Sequence, residues 1–153
     1  MESAAQRLVS VVVPAYNEES RIGATLTRMS AYFQAQPYRV EILVVDDGST
    51  DGTRDVVKEL AAAHPEIFLL TYAENRGKGH AVRYGVLHSQ GDRVLFSDAD
   101  LATPIEEIEK LNAALDAGSA IAIGSRDVEG SQLEKRQSFV RVLAARPSTN
   151  WCS

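Results

Sequence analysis

The sequence predicts an α/β domain built on a mainly parallel sheet with helices covering both faces. Three observations lead there. Short apolar runs alternate with longer amphipathic ones along most of the chain. The apolar runs show little polar alternation, as strands buried on both faces do. Each run is also followed at once by a cluster of polar residues or glycines, which a parallel sheet gathers along one edge.

The elements follow in order. "LVSVVVP" (8–14) is a β-branched run closed by proline and reads as the first strand. In "ESRIGATLTRMSAYFQAQ" (19–36), Ile22, Leu26, Met29 and Phe33 recur at helical spacing. "VEILVVDD" (40–47) is the second strand, and "TRDVVKELAAAH" (53–64) is a helix stopped by Pro65. "IFLLTYA" (67–73), "GHAVRYGVLHSQ" (79–90) and "RVLFSDAD" (93–100) read as strand, helix and strand. "PIEEIEKLNAALDAG" (104–118) is the clearest helix. Thr103 as N-cap, Pro104 at the first helical position and Glu106 form its capping box, and Gly118 is its C-cap. "AIAIGSR" (120–126) is the fifth strand. Beyond Arg126 the periodicity decays into one expected short helix near 136–145. The domain is expected to span 8–143, with tails at 1–7 and 144–153.

With 153 residues, 44% of them hydrophobic, the chain can bury one core. Its net charge of -5 argues against general nucleic-acid binding. The single cysteine, Cys152, excludes an internal disulfide and a cysteine-rich zinc site, and fits a reducing compartment. "LVSVVVPAY" (8–16) is too short to span a bilayer and no later run is longer, so no transmembrane segment or signal peptide is expected.

The polar clusters carry the chemistry. Asp98 and Asp100 lie upstream of the capping box, which does not need them. At a strand end, residues i and i+2 project to one side, so both carboxylates can face one point. Left bare they repel; a turn, or Mg²⁺ or Mn²⁺ bridging to a phosphate, accommodates them. In "VVDDGSTDGT" (44–53), Gly48 and Gly52 serve turns, and Ser49, Thr50 or Asp51 can cap the next helix. That leaves Asp46 and Asp47, one of which should face the ligand edge and suit a ribose hydroxyl or a base N–H. "NRGKGHAVR" (75–83) brings Arg76, Lys78, His80 and Arg83 to the start of a helix, where anions are favoured or the charges are merely solvated. It is not a Walker motif. His80 reads as a packing residue. In "PAYNEE" (14–19), Tyr16 can stack on a base or pack, and Glu18 or Glu19 can bind a ligand or serve the first helical turn. Arg126 offers a phosphate contact.

Taken together, "VVVPAYNEE" (11–19), "EILVVDDGSTDGT" (41–53), "NRGKGHAVRYG" (75–85), "DADLATP" (98–104) and "GSR" (124–126) resemble family 2 glycosyltransferases of the GT-A fold. With "RQSFVR" (136–141), the similarity is to the dolichyl-phosphate glucosyltransferase-like, polyprenyl-phosphate branch. The resemblance implies an inverting, metal-dependent transfer of a sugar, glucose first, from a nucleotide-diphosphate sugar to a polyprenyl or dolichyl phosphate. By that likeness Pro14, Tyr16 and Glu18 line the nucleotide pocket, with Asp46 or Asp47 on the base or ribose. Asp98, Ala99 and Asp100 form the D-x-D motif, whose two acids hold Mg²⁺ or Mn²⁺ against the diphosphate of UDP-glucose, or of GDP-mannose. Lys78 lies near the donor, and Arg126 and Arg141 match basic positions near the phosphates of donor or lipid-phosphate acceptor, acting with the two acids in catalysis. The setting implied is cytoplasmic, peripheral at a membrane's cytoplasmic face.

Members of this branch continue further, so the acceptor part is expected to be missing, and a nucleotide-sugar-binding fragment without turnover is the alternative. A haloacid-dehalogenase-type phosphatase is opposed by Ala102 and by the motif's late position. No G-x-G-x-x-G follows the first strand, which excludes a dehydrogenase.

Overall fold

The computed structural model describes residues 7–100, 105–117, 121–124 and 141–145. The expected order is present: β1 (Leu8–Ala15), α1 (Ile22–Gln34), β2 (Arg39–Asp47), α2 (Thr53–Ala63), β3 (Ile67–Tyr72), α3 (Lys78–His88) and β4 (Arg93–Phe96). A 3₁₀ turn at Ile105–Glu107 then leads into α4 (Ile108–Asp116), followed by β5 (Ile121–Gly124) and β6 (Arg141–Ala145). Thr103, Pro104 and Gly118, the expected caps of the fourth helix, lie outside the described residues.

The strands form one sheet in the order β3-β2-β1-β4-β6-β5. β1 runs parallel to β2 and β4, and β2 parallel to β3, whereas β6 runs antiparallel to both β4 and β5. The sheet is therefore mainly parallel, and the strand order reverses between β1 and β4. Open α/β sheets bind ligands at such a switch point, beyond the strands' carboxyl ends.

Residues of one strand alternate between two cores. Val9, Val11 and Val13 pack with Ile22, Leu26, Met29 and Phe33 of α1, Val57 of α2, and Ile108, Leu111 and Leu115 of α4. Val12, Val45 and Val94 face the other way, onto Ala81 of α3. Both faces are thus covered, which explains the unbroken apolar strands.

Two expectations need correction. Residues 141–145 form a strand, not the end of a helix; 136–140 lie outside the described residues. Leu95 and Ala122 both pair with Leu143, so β6 uses backbone groups on two sides, which outweighs what five helical residues could gain alone. The fourth strand also stops at Phe96 instead of running to Asp100. The β1–β4 register ends at Val12↔Phe96, with the Ser97 N–H still donating to the Val12 carbonyl at 2.9 Å. The next ladder bond would need an N–H from Pro14, which has none. Asp98 and Asp100 consequently sit in a loop, and strand alternation does not aim them.

α3 lies very close to the sheet at Gly85. A Cβ there would come 2.4 Å from Val12 Cγ1 and 3.0 Å from Val45 Cγ2, whereas one on Gly79 would meet nothing within 4 Å. Gly85→Ala is expected to destabilise the fold by about 1–3 kcal/mol through overpacking. Gly79→Ala should be neutral or stabilising. Urea midpoints of the two variants check the contrast.

Candidate functional site

Strand alternation separates the two acids at the end of β2. Asp46 falls on the α1/α2 face and Asp47 on the α3 face, and both are buried. The Asp47 carboxylate collects four donors. Oδ1 accepts from the Tyr72 hydroxyl at 2.6 Å and the Arg76 N–H at 2.8 Å; Oδ2 accepts from Asn75 Nδ2 at 3.1 Å and the Gly77 N–H at 3.0 Å. The anion-favouring start of α3 is thus held by an acid of the chain itself. Burial, followed by the bond to Asp47, pushes the Tyr72 phenol above its ordinary range. Gly77 has φ 94°, a conformation that suits glycine.

Asp46 is fully buried and differently placed. Its Oδ2 accepts from Arg54 Nε at 2.5 Å and from the Ser49 N–H at 3.3 Å, while Oδ1 has no partner. Among the described residues, two buried side-chain oxygens lack a partner: Asp46 Oδ1 and Ser97 Oγ. Both lie at the carboxyl edge of the sheet, one at the end of β2 and one just past β4. Unpaired buried polar atoms are costly, and the described chain supplies neither of these two with a donor.

The loop after β1 is fastened to the loop after β2. Asn17 takes φ 52°, which asparagine tolerates. Its N–H donates to Ser49 Oγ at 2.9 Å, and its Oδ1 accepts from the Thr50 N–H at 2.8 Å. The Glu18 N–H donates to Thr53 Oγ1 at 2.9 Å, and Glu19 Oε2 accepts from the Gly52 N–H at 3.1 Å. Asp51 accepts from the Thr53 N–H at 3.0 Å and from the Thr53 hydroxyl, which holds its carboxyl below the usual range; Gly52, not Asp51, stands at the N-cap of α2. The Glu18 carboxylate itself is engaged by Arg21 Nε at 2.7 Å. Pro14 is buried in β1, and Tyr16 stands 46% exposed beside the edge.

Across the switch point, the Asp98 carboxylate is 12% exposed and bonded to the ammonium of Lys78. Buried Ala99 has its carbonyl fixed by the Thr25 hydroxyl of α1 at 2.5 Å, which pins the D-x-D loop to the helix. Asp100 is exposed two residues beyond Asp98. The lysine ammonium already stands as a cation at Asp98, so this carboxylate suits a positive ion. Among the described residues no three His, Cys, Asp or Glu side chains form a group that could hold a metal. A divalent ion here would therefore take Asp98 and Asp100, with water and phosphate completing its shell. Arg141 pairs with Gly124 in the β5–β6 ladder, and Arg126 lies outside the described residues. His80 packs edge-on against Tyr72 at 5.2 Å between ring centroids.

The structure thus brings Asp46, Asp47, Lys78, Asp98, Ala99, Pro14, Tyr16 and Glu18 to one edge. Sequence reasoning missed Arg54, Thr25, Asn75 and Asn17, because their roles depend on which loops touch. A 540 Å³ cleft lined by Phe33, Tyr38, Val40, Glu66 and Phe68 opens at the opposite edge and contains none of these groups.

The glycosyl transferase family 2 model matches residues 10–145. A dolichyl-phosphate beta-glucosyltransferase of Trichomonas vaginalis is 41% identical over 143 residues, covering 86% of this chain and 42% of that protein. The Homo sapiens dolichyl-phosphate beta-glucosyltransferase is 35% identical over 148 residues, covering 88% and 46%. Among solved structures, a Pyrobaculum calidifontis mannosyltransferase in complex with GDP-Man and Mn²⁺ matches with a TM-score of 0.64 and 33% identity, over 77% of this chain and 34% of that one. The chain belongs to glycosyl transferase family 2 and has the GT-A fold. It spans less than half the length of these relatives.

Asp47→Ala would leave a half-buried phenol and two N–H groups without their acceptor, and the Asn75 amide with the backbone carbonyl alone. It should cost about 2–4 kcal/mol. Hydrogen exchange at Arg76 and Gly77 should accelerate far more than at the central β1 amides, as denaturation with exchange mass spectrometry would show.

Proposed function

We propose that this chain forms the donor half of a site that transfers a hexose, glucose, from a nucleoside-diphosphate sugar to a polyprenyl or dolichyl phosphate with inversion. The observation carrying this reading is the pair of orphaned buried oxygens, Asp46 Oδ1 and Ser97 Oγ, flanking the switch point next to the Lys78–Asp98 pair. It is supported by the relatives named as dolichyl-phosphate glucosyltransferases, and by a bactoprenol glucosyl transferase of Shigella phage SfX that is 36% identical over 118 residues.

The roles in this reading are as follows. Asp46 accepts from the nucleobase, Tyr16 offers a ring to stack on it, and Pro14 and Glu18 shape the pocket around it. Asp98 and Asp100 would hold the divalent ion, Mg²⁺ or Mn²⁺, which when bound would supply electrostatic stabilisation of the charge on a departing diphosphate. Lys78 lies within reach of the same phosphates, with Arg126 and Arg141 as further cations toward donor or acceptor. The acceptor phosphate is anionic near neutral pH, so it needs placement more than a general base. Its oxygen bonds to the anomeric carbon as the bond from that carbon to the diphosphate oxygen breaks, and the nucleoside diphosphate leaves. No helix among the described residues is long and apolar enough to cross a membrane. A lipid acceptor would therefore be met at a membrane surface, and we place the domain at the cytoplasmic face.

Titration calorimetry with UDP tests the reading. With Mn²⁺ present the chain should bind UDP, and chelation should weaken binding by at least about tenfold, or ~1.4 kcal/mol. Asp98→Asn should abolish the Mn²⁺ dependence. Equal binding with and without metal, or none in either case, would contradict it. Transfer of labelled glucose from UDP-glucose to polyprenyl phosphate then separates an active domain from a binding fragment.

A further inference from the structure

The Asp46 carboxylate is held by one oxygen only, and the way it is held points beyond a simple ion pair. An arginine facing a carboxylate for stability alone tends to meet both oxygens with its fork. Here Arg54 turns Nε to Oδ2 at 2.5 Å and sends Nη2 to the Tyr72 carbonyl on β3 at 3.2 Å. The Ser49 N–H adds to the same Oδ2. The guanidinium is therefore tied to the next strand, and it fixes a torsion that is otherwise broad for aspartate. Oδ1 is left as a buried acceptor with nothing to accept from.

We propose that Arg54 is the positioning residue for nucleobase selection: by saturating Oδ2 it dedicates Asp46 Oδ1 to a ring N–H of the donor's base. This rests on the donor-site reading above. A single fixed acceptor selects chemically. Uracil and guanine present a ring N–H at the pairing edge; cytosine and adenine present a ring nitrogen lone pair there, which would face the carboxylate oxygen and be repelled. Lysine cannot reproduce the arrangement, because a single ammonium lacks the planar fork that reaches Asp46 and Tyr72 together.

Calorimetry with three probes, each with Mn²⁺, tests it: UDP, CDP and pyrophosphate. Arg54→Met should weaken UDP about tenfold, reduce the preference for UDP over CDP by a similar factor, and leave pyrophosphate binding within about twofold. Arg54→Lys should lose the same preference, and it carries the comparison if the methionine variant does not fold. A preserved UDP-to-CDP ratio in both variants would overturn the inference, as would a proportional loss of pyrophosphate binding. Asp46→Asn serves as the reference. If it weakens UDP while the Arg54 variants do not, the positioning role fails and the donor site stands. If Asp46→Asn binds UDP like the parent chain, Asp46 is not the base acceptor and this inference fails, while the metal dependence of UDP binding still decides the donor site on its own.

Discussion

The ligand edge depends on the four hydrogen bonds gathered by the Asp47 carboxylate. They fold the 75–77 segment back onto the end of β2, and this sets where α3 begins. Lys78, one residue after Gly77, then reaches the Asp98 carboxylate across the switch point. The neighbouring Gly48 is part of the same constraint: a Cβ there would lie 2.6 Å from the Asn75 N–H nitrogen, and its φ is 75°. With the loop after β1 fastened to the loop after β2, three loops form one interlocked layer. Burying a carboxylate is tolerable here because every lone-pair direction that matters is met by a donor.

Much of the fold could be read from the residues, because hydrophobic periodicity reports local geometry. The four helices and first five strands were legible from runs such as "VEILVVDD" and from Ile22, Leu26, Met29 and Phe33. What was not legible is non-local. β6 owes its conformation to partners nearly fifty residues upstream in β4, so its own five residues could not announce a strand. The early end of β4 depends on a proline in another strand. Motif spacing foretold which loops gather at one edge, yet it could not tell the surroundings of Asp46 from those of Asp47. That difference follows from which helices cover which face, a property of the assembled sheet. Arg54 and Thr25 were invisible for the same reason, being ordinary helix residues until tertiary packing sets them beside Asp46 and Ala99.

The electrostatics suit an anionic ligand in an acidic chain. A net charge of -5 would repel a diphosphate at long range, so recognition has to be local. The acids of the edge are largely committed: Asp47 to its four donors, Asp46 to Arg54, Glu18 to Arg21, and Asp98 to Lys78. At the opposite edge, where the 540 Å³ cleft opens, the polar cluster of Ser30, His64 and Glu66 bonds within itself, with Ser30 buried.

The most direct test is the paramagnetic effect of Mn²⁺ on backbone amide resonances in the presence of UDP. Broadening should centre on Asp98, Ala99, Asp100 and Lys78 and leave Gln90 and Glu66, at the far edge, sharp. Broadening centred on His64 and Glu66, or spread evenly over the acidic surface, would contradict a metal–diphosphate site at the switch point.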